Sequence, residues 1–124
     1  MANIMIVDDS KFARKMLFDI LTEKGHQIVG EAENAEEAVE LYERLKPDLV
    51  TLDIIMPEVE GTDAISAVRE MIRLNPKARV VIVCAMRQQE VVEECIQAGA
   101  KDYIVKPILP SNVAGVVESA LNSG

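Results

Sequence analysis

Residues 4–25, IMIVDDSKFARKMLFDILTEKG, hold two hydrophobic patterns end to end, and the change between them decides the fold. Ile4 to Val7 is a short continuous apolar run, which suits a strand buried on both faces of a parallel sheet. Ser10 can cap a helix, and Ala13, Met16, Leu17, Ile20 and Leu21 then recur at helical spacing until Gly25 stops them. A two-sided strand running straight into an amphipathic helix is the repeating unit of a doubly wound sheet.

The same unit recurs four more times along the chain. Ile28 and Val29 open a weak second strand, and Asn34 with Glu37 resembles a capping box ahead of Ala35, Ala38, Val39, Tyr42 and Leu45, with Pro47 closing the helix. Leu49 to Leu52 predicts strand three. After the loop from Asp53 to Gly61, Ala64, Ile65, Val68, Met71 and Ile72 mark a helix ended by Asn75-Pro76. Val80 to Val83 predicts strand four; Val91, Val92, Cys95 and Ile96 mark a helix stopped at Gly99. Tyr103 to Val105 predicts strand five, ahead of a last helix on Val113, Val116, Val117, Ala120 and Leu121. Five strands alternating with five helices imply right-handed crossovers and an open parallel α/β sheet covered on both faces.

The chain of 124 residues suits one domain, 1–124, and 49% hydrophobic against 27% charged residues is enough to bury a core without disulfides. A net charge of -8 with no basic run disfavours nucleic-acid binding. The longest apolar stretch, Val80 to Met86, is too short to span a bilayer, and the N-terminus lacks signal-peptide order, so a cytoplasmic protein is expected. Cys84 and Cys95 form no CxxC and His26 is the single histidine, so any metal is expected to be held by oxygen.

Ligands of such sheets bind beyond the carboxyl ends of the strands. Asp8-Asp9 follow strand one, Asp53 strand three and Lys106 strand five, while Cys84 closes strand four. Two carboxylates about 4 Å apart at an effective dielectric near 20 repel by roughly 4 kcal/mol, which a divalent cation relieves. Mg²⁺ fits a set of carboxylates and water, and Lys106 can hold an anionic oxygen beside it. Neither GxxxxGK[ST] nor GxGxxG is present, so a phosphoryl group must be attached to the protein or delivered by a partner. A carboxylate can accept it as an acyl phosphate, and Asp53, at the middle strand, is the best candidate. Taken singly, an Asp after a strand is most often only a helix cap, Cys84 and Cys95 are small core hydrophobes, Tyr103 is a half-buried strand aromatic and His26 a turn residue. It is the conjunction of these positions that favours chemistry.

The segments IMIVDDSKFAR at 4–14, DLVTLDIIMPEVEGTDAI at 48–65 and AGAKDYIVKP at 98–107 together resemble the response-regulator receiver domain, specifically its single-domain chemotaxis type, over the whole chain. The resemblance implies a flavodoxin-like sheet of order 2-1-3-4-5, with Asp53 as phosphoacceptor. It implies Asp9 and the backbone carbonyl of Ile55 as direct Mg²⁺ ligands alongside Asp53, Asp8 through water, and Lys106 on the phosphoryl oxygen. Such a protein is a signalling switch and not an enzyme. It is expected to be phosphorylated by a histidine kinase and to bind a downstream protein, here a flagellar motor switch component, as a monomer.

Three positions, Cys84, Ile55 and Met86, depart from the family pattern or refine it. Receivers place Ser or Thr where Cys84 stands, and a thiol is a weaker donor, which is expected to loosen the coupling between phosphorylation and the aromatic Tyr103. Ile55 and Met86, which flank the path of the hydrolytic water in the family, are apolar, so slow self-dephosphorylation and a separate phosphatase are expected. The output face implied by the family brings in Glu90, Glu93, Glu94, Gln97, Lys101, Tyr103 and Asn112. With the last helix ending near Leu121, no fused output module is expected. A phosphorelay intermediate, a receiver cut from a longer regulator and a degenerate interaction module are the alternatives.

Overall fold

A computed structural model describes residues 2–54, 63–86 and 88–122. Those residues form β1 (Asn3–Val7), α1 (Lys11–Glu23), β2 (Gln27–Ala32), α2 (Ala35–Leu45), β3 (Leu49–Asp53), α3 (Ala64–Leu74), β4 (Val80–Cys84), α4 (Gln89–Ala98), β5 (Asp102–Val105) and α5 (Pro110–Asn122). All strand pairings are parallel and the order is β2-β1-β3-β4-β5, as the sequence led us to expect.

Alternation along the strands divides the core between the two faces. Met5, Val50, Leu52 and Ile82 pack with residues of α2, α3 and α4, whereas Ile4, Ile6, Leu49 and Val81 pack with α1 and α5. The central strands β3 and β4 are buried at every position. Cys95 is buried in the first of these clusters, as the small core hydrophobe expected.

Three elements differ in detail from the sequence reading. β2 runs to Ala32, well past Ile28 and Val29; it is an edge strand, so its half-exposed residues break the apolar run that marks its neighbours. Leu45 packs over Gly30 within it, and a Cβ there would lie 2.6 Å from the end of the Leu45 side chain, which would have to shift. His26 is more than a turn residue. It is buried, and its Nδ1 accepts the Ala2 N–H at 3.2 Å, holding the start of the chain against the bottom of the sheet. Asn34 does cap α2, its Oδ1 accepting the Glu37 N–H at 2.9 Å, but the Glu37 carboxylate takes the N–H of Glu33 instead of that of Asn34.

The caps at Ser10 and Asp63 set where α1 and α3 begin, Ser10 Oγ accepting the Ala13 N–H at 3.2 Å and Asp63 Oδ1 the Ser66 N–H at 2.8 Å. The Ser66 N–H holds the Asp63 carboxyl below its ordinary value of 3.8. A lowered folded value means that the cap's contribution is complete above 3.8 and is lost as the pH falls through the folded value. Asp63→Ala is therefore expected to cost about 1 kcal/mol at pH 7 and progressively less below pH 4. Denaturant melts at pH 7 and pH 3 check this, and a loss independent of pH would refute it.

Candidate functional site

At the carboxyl end of the sheet the strands deliver Asp8, Asp53, Cys84 and Lys106 to one crevice. Asp8 and Asp53 are fully buried at the ends of β1 and β3, while Asp9 is exposed at its mouth. Each of the three carboxylates offers an oxygen, and these oxygens lie within 4.8 Å of one another. Opposite ligands of an octahedral Mg²⁺ stand about 4.2 Å apart, so a small hard cation fits this set, directly or with an intervening water.

Asp8 is the group under strain. Its Oδ1 accepts the Ser10 N–H at 2.8 Å, but no donor among the described residues reaches its buried Oδ2. Burial first, and then the negative charge of Asp53, push its carboxyl up to about 6, against the pull of the Ser10 hydrogen bond and the Lys106 charge. An orphaned oxygen in a cluster of like charge is the signature of a site completed by a cation.

Lys106 supplies the opposite charge. Its Nζ lies 3.3 Å from Asp53 Oδ2, and its side chain remains one-third exposed, within reach of an incoming anion. The backbone places it: the Lys106 N–H donates to the Cys84 carbonyl at 2.8 Å, tying β5 to β4. Asn112, expected on the output face, is half-buried and holds the loop after Lys106. Its Nδ2 donates to the Val105 and Pro107 carbonyls, both at 3.2 Å, and its Oδ1 accepts the Leu109 N–H at 3.1 Å.

Cys84 is buried beside the acids, its Sγ making a long 3.6 Å contact with the Ile104 carbonyl. Burial and then the Asp53 charge raise its thiol above the ordinary value, which disfavours the thiolate. Tyr103 is 46% exposed and turned outward. Between them lies an apolar groove of about 620 Å³, walled by Cys84, Val92, Ile96, Tyr103 and Val105, with Glu93 on its rim. Ile96 is exposed on this groove, so it is not the core residue its helical spacing suggested. Ile55, expected to present its carbonyl to the metal, lies outside the described residues.

Sequence reasoning missed Arg14. It sits on the buried stripe of α1 with Ala13, Leu17 and Leu21, and an arginine at an apolar position was the signal available.

Comparison with known proteins agrees with this geometry. The response regulator receiver domain pattern matches residues 4–118. The chain is 53% identical to the chemotaxis protein CheY of Thermotoga maritima over 89% of each chain. It is 47% identical to that of Bacillus subtilis over 96% of this chain and 97% of the other. Among solved structures, it is similar to a chain of the CheX-CheY-BeF3-Mg²⁺ complex from Borrelia burgdorferi. That match has a TM-score of 0.87 and 38% identity, covering 94% of this chain and 87% of that one. The chain belongs to the response regulator receiver domain family.

Proposed function

We propose that this chain is a phosphorylation-activated switch in which Asp53 accepts a phosphoryl group from a phosphohistidine of a histidine kinase. The observation that carries the reading is the convergence of three carboxylates within 4.8 Å, with Lys106 Nζ 3.3 Å from Asp53 Oδ2. An Asp53 oxygen forms the new bond to phosphorus as the phosphorus–nitrogen bond breaks, and the leaving imidazole takes up a proton. Asp8, Asp9 and Asp53, with the Ile55 carbonyl, would hold Mg²⁺, which supplies charge neutralisation on the transferring phosphoryl oxygens. Lys106 is placed to move from Asp53 onto one of those oxygens.

The likeness to CheY proteins and to a CheX-CheY complex supports a protein partner, and we assign the output to chemotaxis through a flagellar motor switch component. No helix among the described residues is long and apolar enough to cross a membrane, in keeping with a cytoplasmic role. Met86 is 78% exposed and apolar, which supports slow self-dephosphorylation and dependence on a separate phosphatase.

A second reading, a degenerate module that binds without phosphorylation, is favoured by one observation: Cys84 Sγ points to Ile104 and offers Asp53 no hydroxyl. Incubating the full chain with acetyl phosphate and Mg²⁺ and measuring intact mass separates the two. A gain of one phosphoryl group, mapped to Asp53 and absent when Mg²⁺ is chelated, is expected. No gain under conditions that label another receiver would favour the second reading.

A further inference from the structure

Arg14 is the one buried cation of α1, with only 9% of its surface exposed, and a guanidinium so placed must be fully engaged. Its Nη1 donates to the Asp8 carbonyl at 2.6 Å and its Nε to Glu31 Oε1 at 3.0 Å, while Nη2 lies 3.6 Å from Glu33 Oε1. One planar fork thus joins the end of β1 to β2 and to the residue after it. The carbonyl it holds belongs to the peptide bond between Asp8 and Asp9. That unit is planar, so fixing its oxygen fixes the direction in which the chain leaves Asp8 and hence where the Asp9 carboxylate starts. From the other side, the Asp8 N–H donates to the Ala32 carbonyl at 3.0 Å.

What Arg14 holds is the Asp8 backbone carbonyl, at 2.6 Å, so its action is one of placement. We infer that Arg14 is a positioning residue for the metal-binding turn, holding the Asp8–Asp9 peptide so that both carboxylates meet one cation. The inference rests on the assignment of Mg²⁺ to Asp8, Asp9 and Asp53 made above. Lysine cannot replace arginine in this role: a point donor can satisfy either the Asp8 carbonyl or Glu31, whereas the fork holds both.

The test is direct Mg²⁺ titration by calorimetry on the full-length wild type, Arg14→Lys and Glu31→Gln, each shown to be folded by circular dichroism at the working temperature. Outer partners of metal ligands typically contribute ten- to a hundredfold in affinity, so Arg14→Lys should weaken Mg²⁺ by about tenfold or more. Glu31→Gln, which loosens the anchor of the fork but keeps the arginine, should give a smaller loss of about threefold. At saturating Mg²⁺ the rate of labelling by acetyl phosphate should return to within about twofold of wild type, a split that a merely structural role would not produce. Unchanged Mg²⁺ affinity in folded Arg14→Lys would overturn the inference. Should Arg14→Lys not fold, unchanged affinity in Glu31→Gln would overturn it equally. A wild type that fails to bind Mg²⁺ would instead sink the functional reading on which the inference stands.

Discussion

Asp53→Asn is expected to abolish phosphoryl incorporation from acetyl phosphate while leaving the fold intact. The residue is 1% exposed at the end of β3, with Val83 of β4 paired beside it, and an amide has nearly the same shape as the carboxylate it replaces. What changes is the chemistry. The amide lacks the anionic oxygen that must attack phosphorus, and it gives up the ionic attraction to Lys106 Nζ. Stability should not fall by the full worth of that pair, because the same substitution removes the negative charge that helps push Asp8 upward. Intact mass after incubation with donor and Mg²⁺ reads the first expectation, and thermal melting in chelator reads the second. Label that persisted on Asp53→Asn, mapped to Asp8 or Asp9, would show that another carboxylate is the nucleophile.

The parts of this molecule that the sequence announces are those whose physics is local or periodic. β1, β3 and β4 are buried on both faces, so Ile4 to Val7, Leu49 to Leu52 and Val80 to Val83 stand out as unbroken apolar runs; β2, at the edge, carries Gly30 and Glu31 and does not. The acid cluster was legible because a parallel sheet brings every strand's carboxyl end to one side, so Asp8, Asp53 and Lys106 needed no contact information to be placed together. The clamps around them were not legible. Arg14 reaches Glu31, 17 residues on, and Asn112 turns back to carbonyls 5 and 7 residues before it. No spacing rule encodes such side-chain contacts. His26 shows the same limit, since its partner Ala2 lies 24 residues away. The outward turn of Tyr103 and the exposure of Ile96 belong to the groove between α4 and β5, which periodicity within either element does not contain.

Asp8→Asn should make the metal-free protein more stable and the Mg²⁺-saturated protein relatively less so, which reverses the usual outcome of removing a buried group. Asp8 is fully buried and its carboxyl is raised from 3.8 to about 6 in the folded state. A raised folded value for an acid means that the ionised form is penalised on folding. The penalty is absent below 3.8, grows through about 6 and is complete at pH 7. That rise corresponds to on the order of 3 kcal/mol, and relaxation of the site reduces what a substitution recovers to about 1–2 kcal/mol. Asparagine keeps an Oδ1 to accept the Ser10 N–H and brings an amide that can donate toward Asp53, so the substitution removes charge without opening a cavity. Metal-free melting at pH 7 should rise by about 3–8 °C. Mg²⁺ at a hundred times its dissociation constant adds about 2.7 kcal/mol to a protein that binds it only when folded, and the variant should lose most of that gain. The two melting curves measured against Mg²⁺ concentration should therefore cross. Lower stability of Asp8→Asn in chelator would mean that Asp8 serves the fold first, and parallel curves with no crossing would remove it from the metal site.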